Sequence, residues 1–173
     1  LTIEELMEYA NRWKYVNCWH KNEHESAAMW NLYAKSNESV AIRTTYQKLI
    51  DSFNERVEIG VVKYFDYNGR WAPPFGSASY SMACKRKSFE HENEVRLIYS
   101  DYAPLLPNKD PDLEKENPRN SVEVSVDIKN LIDDVYVSPE SPDWFFEVVQ
   151  SVIEKYGYSN SFNIHKSTLW DLP

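Results

Sequence analysis

The chain has 173 residues, of which 42% are hydrophobic and 14% aromatic, and its formal net charge is −8 at pH 7. This length suits one domain with a sizeable core, and a charged fraction of 27% is typical of a folded chain, which argues against a disordered protein. A uniformly acidic surface repels phosphate backbones, so the net charge argues against nonspecific binding to duplex nucleic acid.

Predicted helices and strands follow one another in an irregular order. In chain order we expect a helix at 1–13, a strand at 15–19, a helix at 26–34, a strand at 39–44, a helix at 46–53, a strand at 57–65 ending in the Asn68-Gly69 turn, a loop at 70–80, a short helix or irregular stretch at 82–89, a charged strand within 89–98, an exposed loop at 104–119, strands at 121–128 and 135–137, a helix from a Ser141 cap with Pro142 at its first position to Gly157, and a strand at 162–166.

This order lacks the regular strand–helix–strand alternation of a doubly wound sheet. It predicts an α+β fold with a single domain over residues 1–173, in which helices flank a twisted, mostly antiparallel sheet. The clearest strand prediction is 121–128, where apolar and polar residues alternate. The chain begins with Leu1 and not with Met, so we expect its natural N-terminal segment to be missing.

Cysteine usage and hydropathy bear on the setting of the protein. The two cysteines, Cys18 and Cys84, lie far apart and form no C-x-x-C motif, which is typical of a reduced, cytoplasmic protein, with a disulfide as the alternative. Four scattered histidines do not suggest a zinc site, so no metal is expected. No apolar run approaches membrane-spanning length, so no membrane partner is expected.

The charged strand is the most informative segment. Its alternation places Glu92, Glu94 and Arg96 on one face, opposite an apolar face. Two carboxylates and a guanidinium that project in one direction form either a structural cluster on a sheet or the floor of a polar site. In a site, Arg96 would keep a carboxylate ionised by charge pairing, and the two carboxylates would also suit a hydrolytic acid–base pair.

Four other residues are candidates for ligand binding, each with a structural alternative. Trp30 and Tyr33 lie on one side of a short helix, where they could stack on a nicotinamide or a base, or pack in the core. His20 follows a strand and could bind a ribose or phosphate oxygen, or be a surface residue. Arg43 could hold a pyrophosphate bidentately, or be an exposed strand charge.

The basic run Lys85-Arg86-Lys87 precedes the charged strand. It either holds a nucleic-acid phosphate or is a solvated face that offsets local negative charge.

Several short motifs occur together in one order. They are V-N-C-W-H at 16–20, S-A-A-M-W-N-L-Y at 26–33, V-A-I at 40–42, V-K-Y at 62–64, Lys87 with F-x-x-E-x-E-x-R-L at 89–97, V-Y-V-S-P at 135–139, G-Y at 157–158 and H-K-S-T-L at 165–169. In this combination the chain resembles, over most of its length, the bacterial family known as domain of unknown function 2971. The motif order is more distantly similar to that of ADP-ribosyltransferase-like toxins that modify nucleic acid.

The resemblance implies a bacterial intracellular protein. The similarity to toxins implies an ADP-ribosyltransferase-like toxin or phage-defence effector that uses NAD as cosubstrate and modifies nucleic acid or protein. In that interpretation Glu94 is the catalytic carboxylate, which would stabilise an oxocarbenium-like transition state, and Glu92 and Arg96 support it. The residues expected to shape its pocket are His20, Trp30, Tyr33 and Arg43.

Two alternatives stay open. The chain could be a non-catalytic module that binds a nucleotide or a partner protein through the aromatic helix, with the charged strand as scaffolding. It could also be a metal-dependent nuclease that uses Glu92 and Glu94, which would need further carboxylates in the cluster.

Overall fold

The computed structural model describes residues 2–53, 56–66, 68, 79–101 and 112–171. Contacts divide the chain into two compact units. The first unit comprises Leu1–Lys21 and Glu55–Val124, and the second comprises Asn22–Asn54 and Ser125–Pro173. The expectation of a single domain over 1–173 stays a prediction.

Helices and strands are mixed along the described residues. In chain order they are α1 (Ile3–Asn11), β1 (Lys14–His20), α2 (Ala27–Tyr33), β2 (Val40–Arg43), α3 (Tyr46–Asp51), β3 (Glu58–Val61), β4 (Lys63–Phe65), a 3-10 helix (Tyr80–Ala83), β5 (Cys84–Arg86), a second 3-10 helix (Lys87–Glu92), β6 (Glu94–Ser100), α4 (Ile128–Leu131), β7 (Asp134–Val137), α5 (Asp143–Lys155) and β8 (Asn163–Lys166).

The first unit is built around β6. This strand lies between β1 and β3 and pairs antiparallel with both. Val95, Leu97 and Ile98 are buried, so side chains on both faces of β6 are covered, as expected for a central strand. The short strands β4 and β5 pair in parallel, and the backbone N–H of Val62, just before β4, donates to the carbonyl of Glu94 at 2.9 Å.

The second unit contains the sheet β2-β7-β8. The central strand β7 is antiparallel to β2 and parallel to β8. Val135 and Val137 of β7 are buried, and Val137 is fully inaccessible to solvent. The apolar side chains of α5 are buried only in part, because Ile153 is buried whereas Val152 is 48% exposed.

Local hydrogen bonds and one glycine mark the ends of three helices. Thr2 begins α1 with a capping box, since its Oγ1 accepts the Glu5 N–H at 3.2 Å and Glu5 accepts the Thr2 N–H at 2.8 Å. Ser26 caps α2 by a single hydrogen bond, which its Oγ accepts from the Met29 N–H at 3.3 Å. Gly157 follows α5 with a φ of 75°, a left-handed conformation that favours glycine.

The strand predicted at 121–128 is wrong. Val122, Val124 and Val126 are half-buried, so the alternation of burial is present, but only Val126 forms a bridge, to Phe53. A strand needs a partner backbone along its length, and alternation in one segment does not supply one. Ile128 instead begins α4, which Asp127 caps.

Other boundaries differ from the prediction. Ser141 does not cap α5; its hydroxyl donates to the carbonyl of Asn37, and Pro142 is the N-cap. The strand predicted at 57–65 is interrupted at Val62, and the stretch 82–89 contains the unpredicted strand β5. Gly69, residues 70–78 of the predicted first loop and 104–111 of the second lie outside the described residues.

The α+β class is confirmed, and three of the five strand pairings among the described residues are antiparallel. The strands that the structure describes form three small sheets and not the single sheet that was expected. The sheets β1-β6-β3 and β4-β5 belong to the first unit, and the sheet β2-β7-β8 belongs to the second. Within the described ranges, no helix has both the length and the apolar character needed to cross a membrane.

Candidate functional site

Glu94 begins β6 and is the centre of the predicted site. Asn93, immediately before it, adopts a left-handed conformation with a φ of 40°, which asparagine tolerates better than most residues. The backbone N–H of Glu94 donates to the hydroxyl of Tyr64 at 2.8 Å. This hydrogen bond to Tyr64 fixes the backbone of Glu94, and the residue as a whole is only 4% exposed to solvent.

Glu92 does not lie on the strand with Glu94, contrary to the prediction. The left-handed turn at Asn93 ends the extended register, so Glu92 is the last residue of the preceding 3-10 helix. The two carboxylates nevertheless meet, because both accept hydrogen bonds from Lys85. The sequence pattern was wrong about the backbone but correct about the proximity of Glu92, Glu94 and Arg96.

An ion network of four side chains surrounds Glu94, and we call it the Glu94 network: Lys85, Glu92, Glu94 and Arg96. The Nζ of Lys85 lies 2.8 Å from Oε1 of Glu92 and 2.6 Å from Oε1 of Glu94. The Nε of Arg96 donates to Oε2 of Glu94 at 2.6 Å, and its NH1 donates to the carbonyl of Met82 at 2.6 Å. Each oxygen of Glu94 therefore contacts a cation.

The network keeps Glu94 ionised. Burial alone would raise the pKa of Glu94, but the hydrogen bonds and charges of Arg96 and Lys85 outweigh it and lower the pKa from 4.5 to about 2. Because the pKa is lower in the folded chain, ionised Glu94 stabilises the fold above pH 4.5, and this contribution is lost as the pH falls towards about 2.

Cys18 and His20 of β1 flank the network. Cys18 pairs with Arg96 in the sheet register, and desolvation of its thiol and the charge of Glu94 raise the pKa of this cysteine. His20 pairs with Glu94, and its Nδ1 donates to the carbonyl of Glu92 at 2.6 Å. The structure thus brings His20 next to Glu92 and Glu94, as a site would require, and both Cys18 and His20 are exposed.

Lys85 is the member that sequence reasoning missed. The sequence places Lys85 in a basic run with Arg86 and Lys87, yet its Nζ binds the two carboxylates and lies 4.7 Å from the centre of the Phe89 ring. The sequence offers little signal for this role. Lys85 lies in β5, a strand of only three residues that begins with the buried Cys84, and three residues are too few for an alternation pattern to show which way Lys85 points. Arg86 and Lys87 are exposed.

The remaining predicted residues belong to the second unit. Trp30 is half-buried on α2, and Tyr33 is 62% exposed. Arg43 ends β2 and forms an ion pair with Asp134 at 2.5 Å. The structure therefore brings together Glu92, Glu94, Arg96 and His20 in the first unit. It places Trp30, Tyr33 and Arg43 in the second.

No group of three or more His, Cys, Asp or Glu side chains suited to a metal ion occurs in the part of the chain that the structure describes. Comparisons of the chain with protein-family models, with curated proteins and with solved structures gave no significant match. The resemblance to domain of unknown function 2971 and the similarity to ADP-ribosyltransferase-like toxins therefore stay predictions drawn from the sequence motifs.

Replacement of Lys85 by Met should destabilise the fold by about 2 kcal/mol, because Glu92 would lose its ion pair with Lys85 and Glu94 would keep only Arg96. The partial exposure of Lys85 makes this loss smaller than for a fully buried ion pair. Urea unfolding at pH 7 measures the effect, with Lys87→Met as the control because Lys87 is an exposed lysine two residues away. Equal stabilities of Lys85→Met and Lys87→Met would contradict the proposed network.

Proposed function

We propose that the chain is an NAD-dependent, ADP-ribosyltransferase-like enzyme of the bacterial cytoplasm, acting as a toxin or phage-defence effector. Glu94 is its catalytic carboxylate, and Glu92, Arg96 and Lys85 set the charge of the site. The observation that carries the proposal is a carboxylate that stays ionised although it is 4% exposed, with the exposed His20 beside it.

An ionised carboxylate suits this reaction for an electrostatic reason. Loss of nicotinamide from NAD leaves positive charge on the ribose in an oxocarbenium-like transition state, which a fixed negative charge stabilises most strongly where water is excluded. Arg96 and the Tyr64 hydroxyl hold Glu94 in place, so little reorganisation accompanies the reaction. The motif F-x-x-E-x-E-x-R-L at 89–97 is the second support.

The ion pairs define how a substrate would reach Glu94. Oε2 accepts from Arg96 and Oε1 from Lys85, and because each carboxylate oxygen has a second lone pair, a ribose hydroxyl could donate to Oε1 beside Lys85. Lys85 is the most exposed member of the network, with 22% of its side chain accessible. A shift of its ammonium group away from Oε1 would leave its ion pair with Glu92 in place and would open Oε1 further.

Incubation of the protein with labelled NAD and candidate nucleic-acid and protein targets tests the proposal. Wild type should transfer label, and Glu94→Gln should reduce transfer by at least about a hundredfold, because the amide lacks the charge that stabilises the transition state. Glu90→Gln is the matched control, since Glu90 is an exposed glutamate in the adjacent 3-10 helix.

The folded fraction of each variant is measured by thermal unfolding, so that loss of folding is not mistaken for loss of catalysis. Equal labelling by wild type and folded Glu94→Gln would refute the catalytic assignment.

The second candidate is a non-catalytic module that binds a nucleotide or a partner protein through α2. The observation that favours it is the charge balance of the Glu94 network, in which two carboxylates meet two cations and every member is largely buried. Such a network also suits scaffolding, where its role is to hold β5 and β6 together.

If this second candidate is correct, Trp30→Ala should abolish nucleotide-induced thermal stabilisation, because an aromatic platform contributes about 1–3 kcal/mol per stacked base. A thermal-shift assay with NAD, ADP and ATP measures this change. Trp170→Ala is the control, since Trp170 is another partly exposed tryptophan of the same unit. Unchanged stabilisation of Trp30→Ala would exclude α2 as the binding surface.

A further inference from the structure

The sheet β2-β7-β8 of the second unit has a polar face that the transfer reaction proposed for Glu94 leaves unexplained. Asp134 of β7 pairs in register with Arg43 of β2 on one side and with Asn163 of β8 on the other. Two residues further along, Tyr136 pairs with His165. Alternation along each strand places all five on one face, and we call them the Asp134 cluster.

Asp134 is the anchor of this cluster. It is 3% exposed, and it accepts hydrogen bonds from His165 Nε2 at 2.9 Å and from Asn163 Nδ2 at 3.2 Å. Arg43 NH2 approaches its other oxygen at 2.5 Å. Burial alone would raise the pKa of Asp134, but these hydrogen bonds and the charge of Arg43 lower it, so the carboxylate is ionised.

The two basic side chains remain accessible although they are anchored. The Arg43 side chain is 61% exposed and that of His165 is 44% exposed. The imidazole lies against the ring of Tyr136, with 5.1 Å between the ring centres, and Arg43 NH1 donates to the Tyr136 hydroxyl at 3.3 Å. Among the described residues, Nδ1 of His165 has no hydrogen-bond partner.

We propose that the Asp134 cluster is a binding site for a phosphate group, which Arg43 and His165 contact directly. An arginine has five N–H donors, and only two are used in these contacts, so others can form charge-assisted hydrogen bonds to phosphate oxygens. The second ring nitrogen of His165 supplies a further contact in the imidazolium form, since Nε2 donates to Asp134 and only the protonated ring carries a second N–H for a phosphate oxygen. Asp134 is a positioning residue, because it orients both side chains and lowers the entropy lost on binding.

A cleft beside the cluster provides room for the rest of a ligand. It has a volume of about 430 Å³, and Asn163 belongs both to its wall and to the Asp134 cluster. Hydroxyl and amide groups dominate the wall, which suits a polar, hydroxyl-bearing group such as a ribose. The lining residues are Asp133, Ser159, Asn160, Ser161, Phe162 and Asn163. The wall also carries the carboxylate of Asp133, which Lys48 neutralises at 2.5 Å. The ligand class that we infer is a nucleoside diphosphate, with its phosphates on Arg43 and His165 and its ribose in the cleft.

Isothermal titration calorimetry of the whole chain with ADP tests the proposal. Wild type should bind ADP, inorganic phosphate should compete with it, and adenosine should bind at least about tenfold more weakly because it lacks the charged group. His165→Gln should weaken ADP binding by at least about tenfold. Glutamine can still donate to Asp134, so this variant keeps the anchor while it loses Nδ1.

Arg43→Gln is the second variant and should weaken ADP binding in the same way. The matched control is His24→Gln, an exposed histidine of the same unit, which should bind ADP as wild type does. Adenosine binding as tight as that of ADP, unchanged binding by folded His165→Gln, or no ADP binding by wild type at millimolar concentration would each overturn the proposal. The inference goes beyond the proposed transferase, because this titration requires neither NAD nor Glu94.

Discussion

Each unit contains one buried carboxylate whose negative charge has to be neutralised by basic side chains, and the arrangement of both sheets depends on this constraint. Glu94 begins β6 and Asp134 begins β7, and each of these strands is the central strand of its sheet. Each carboxylate is almost inaccessible to solvent, and an isolated charge in such a position would be very costly. Basic side chains from neighbouring elements therefore have to bind it, and these contacts fix side chains on strands that are distant in sequence.

The Glu94 network and the Asp134 cluster differ in how much of their basic side chains is exposed to solvent, and this difference separates their proposed roles. Around Glu94 two cations meet two carboxylates, and all four side chains are largely buried. Around Asp134 the two basic side chains keep much of their surface exposed. The first arrangement protects a fixed negative charge, which suits stabilisation of a cationic transition state or scaffolding, whereas the second presents donors outwards, which suits anion binding.

Sequence reasoning succeeded where the signal was local and failed where it depended on pairing. The helix predicted at 26–34 and the glycine that ends the helix at 157 follow from residue chemistry within a few turns. The strand at 121–128 failed because alternation does not reveal whether a partner backbone exists. The role of Lys85 and the hydrogen bond between Asp134 and His165 could not be predicted, since each depends on a strand register between separate segments.

The central claim is that Lys85 and Arg96 hold Glu94 ionised inside the first unit. Carbon-13 NMR detection of the Glu94 side-chain carboxyl during an acid titration measures this most directly. We expect a titration midpoint at about 2, so that the carboxylate stays charged well below its ordinary range. A midpoint at or above 4.5 in the folded protein would contradict the ion network and the function proposed from it.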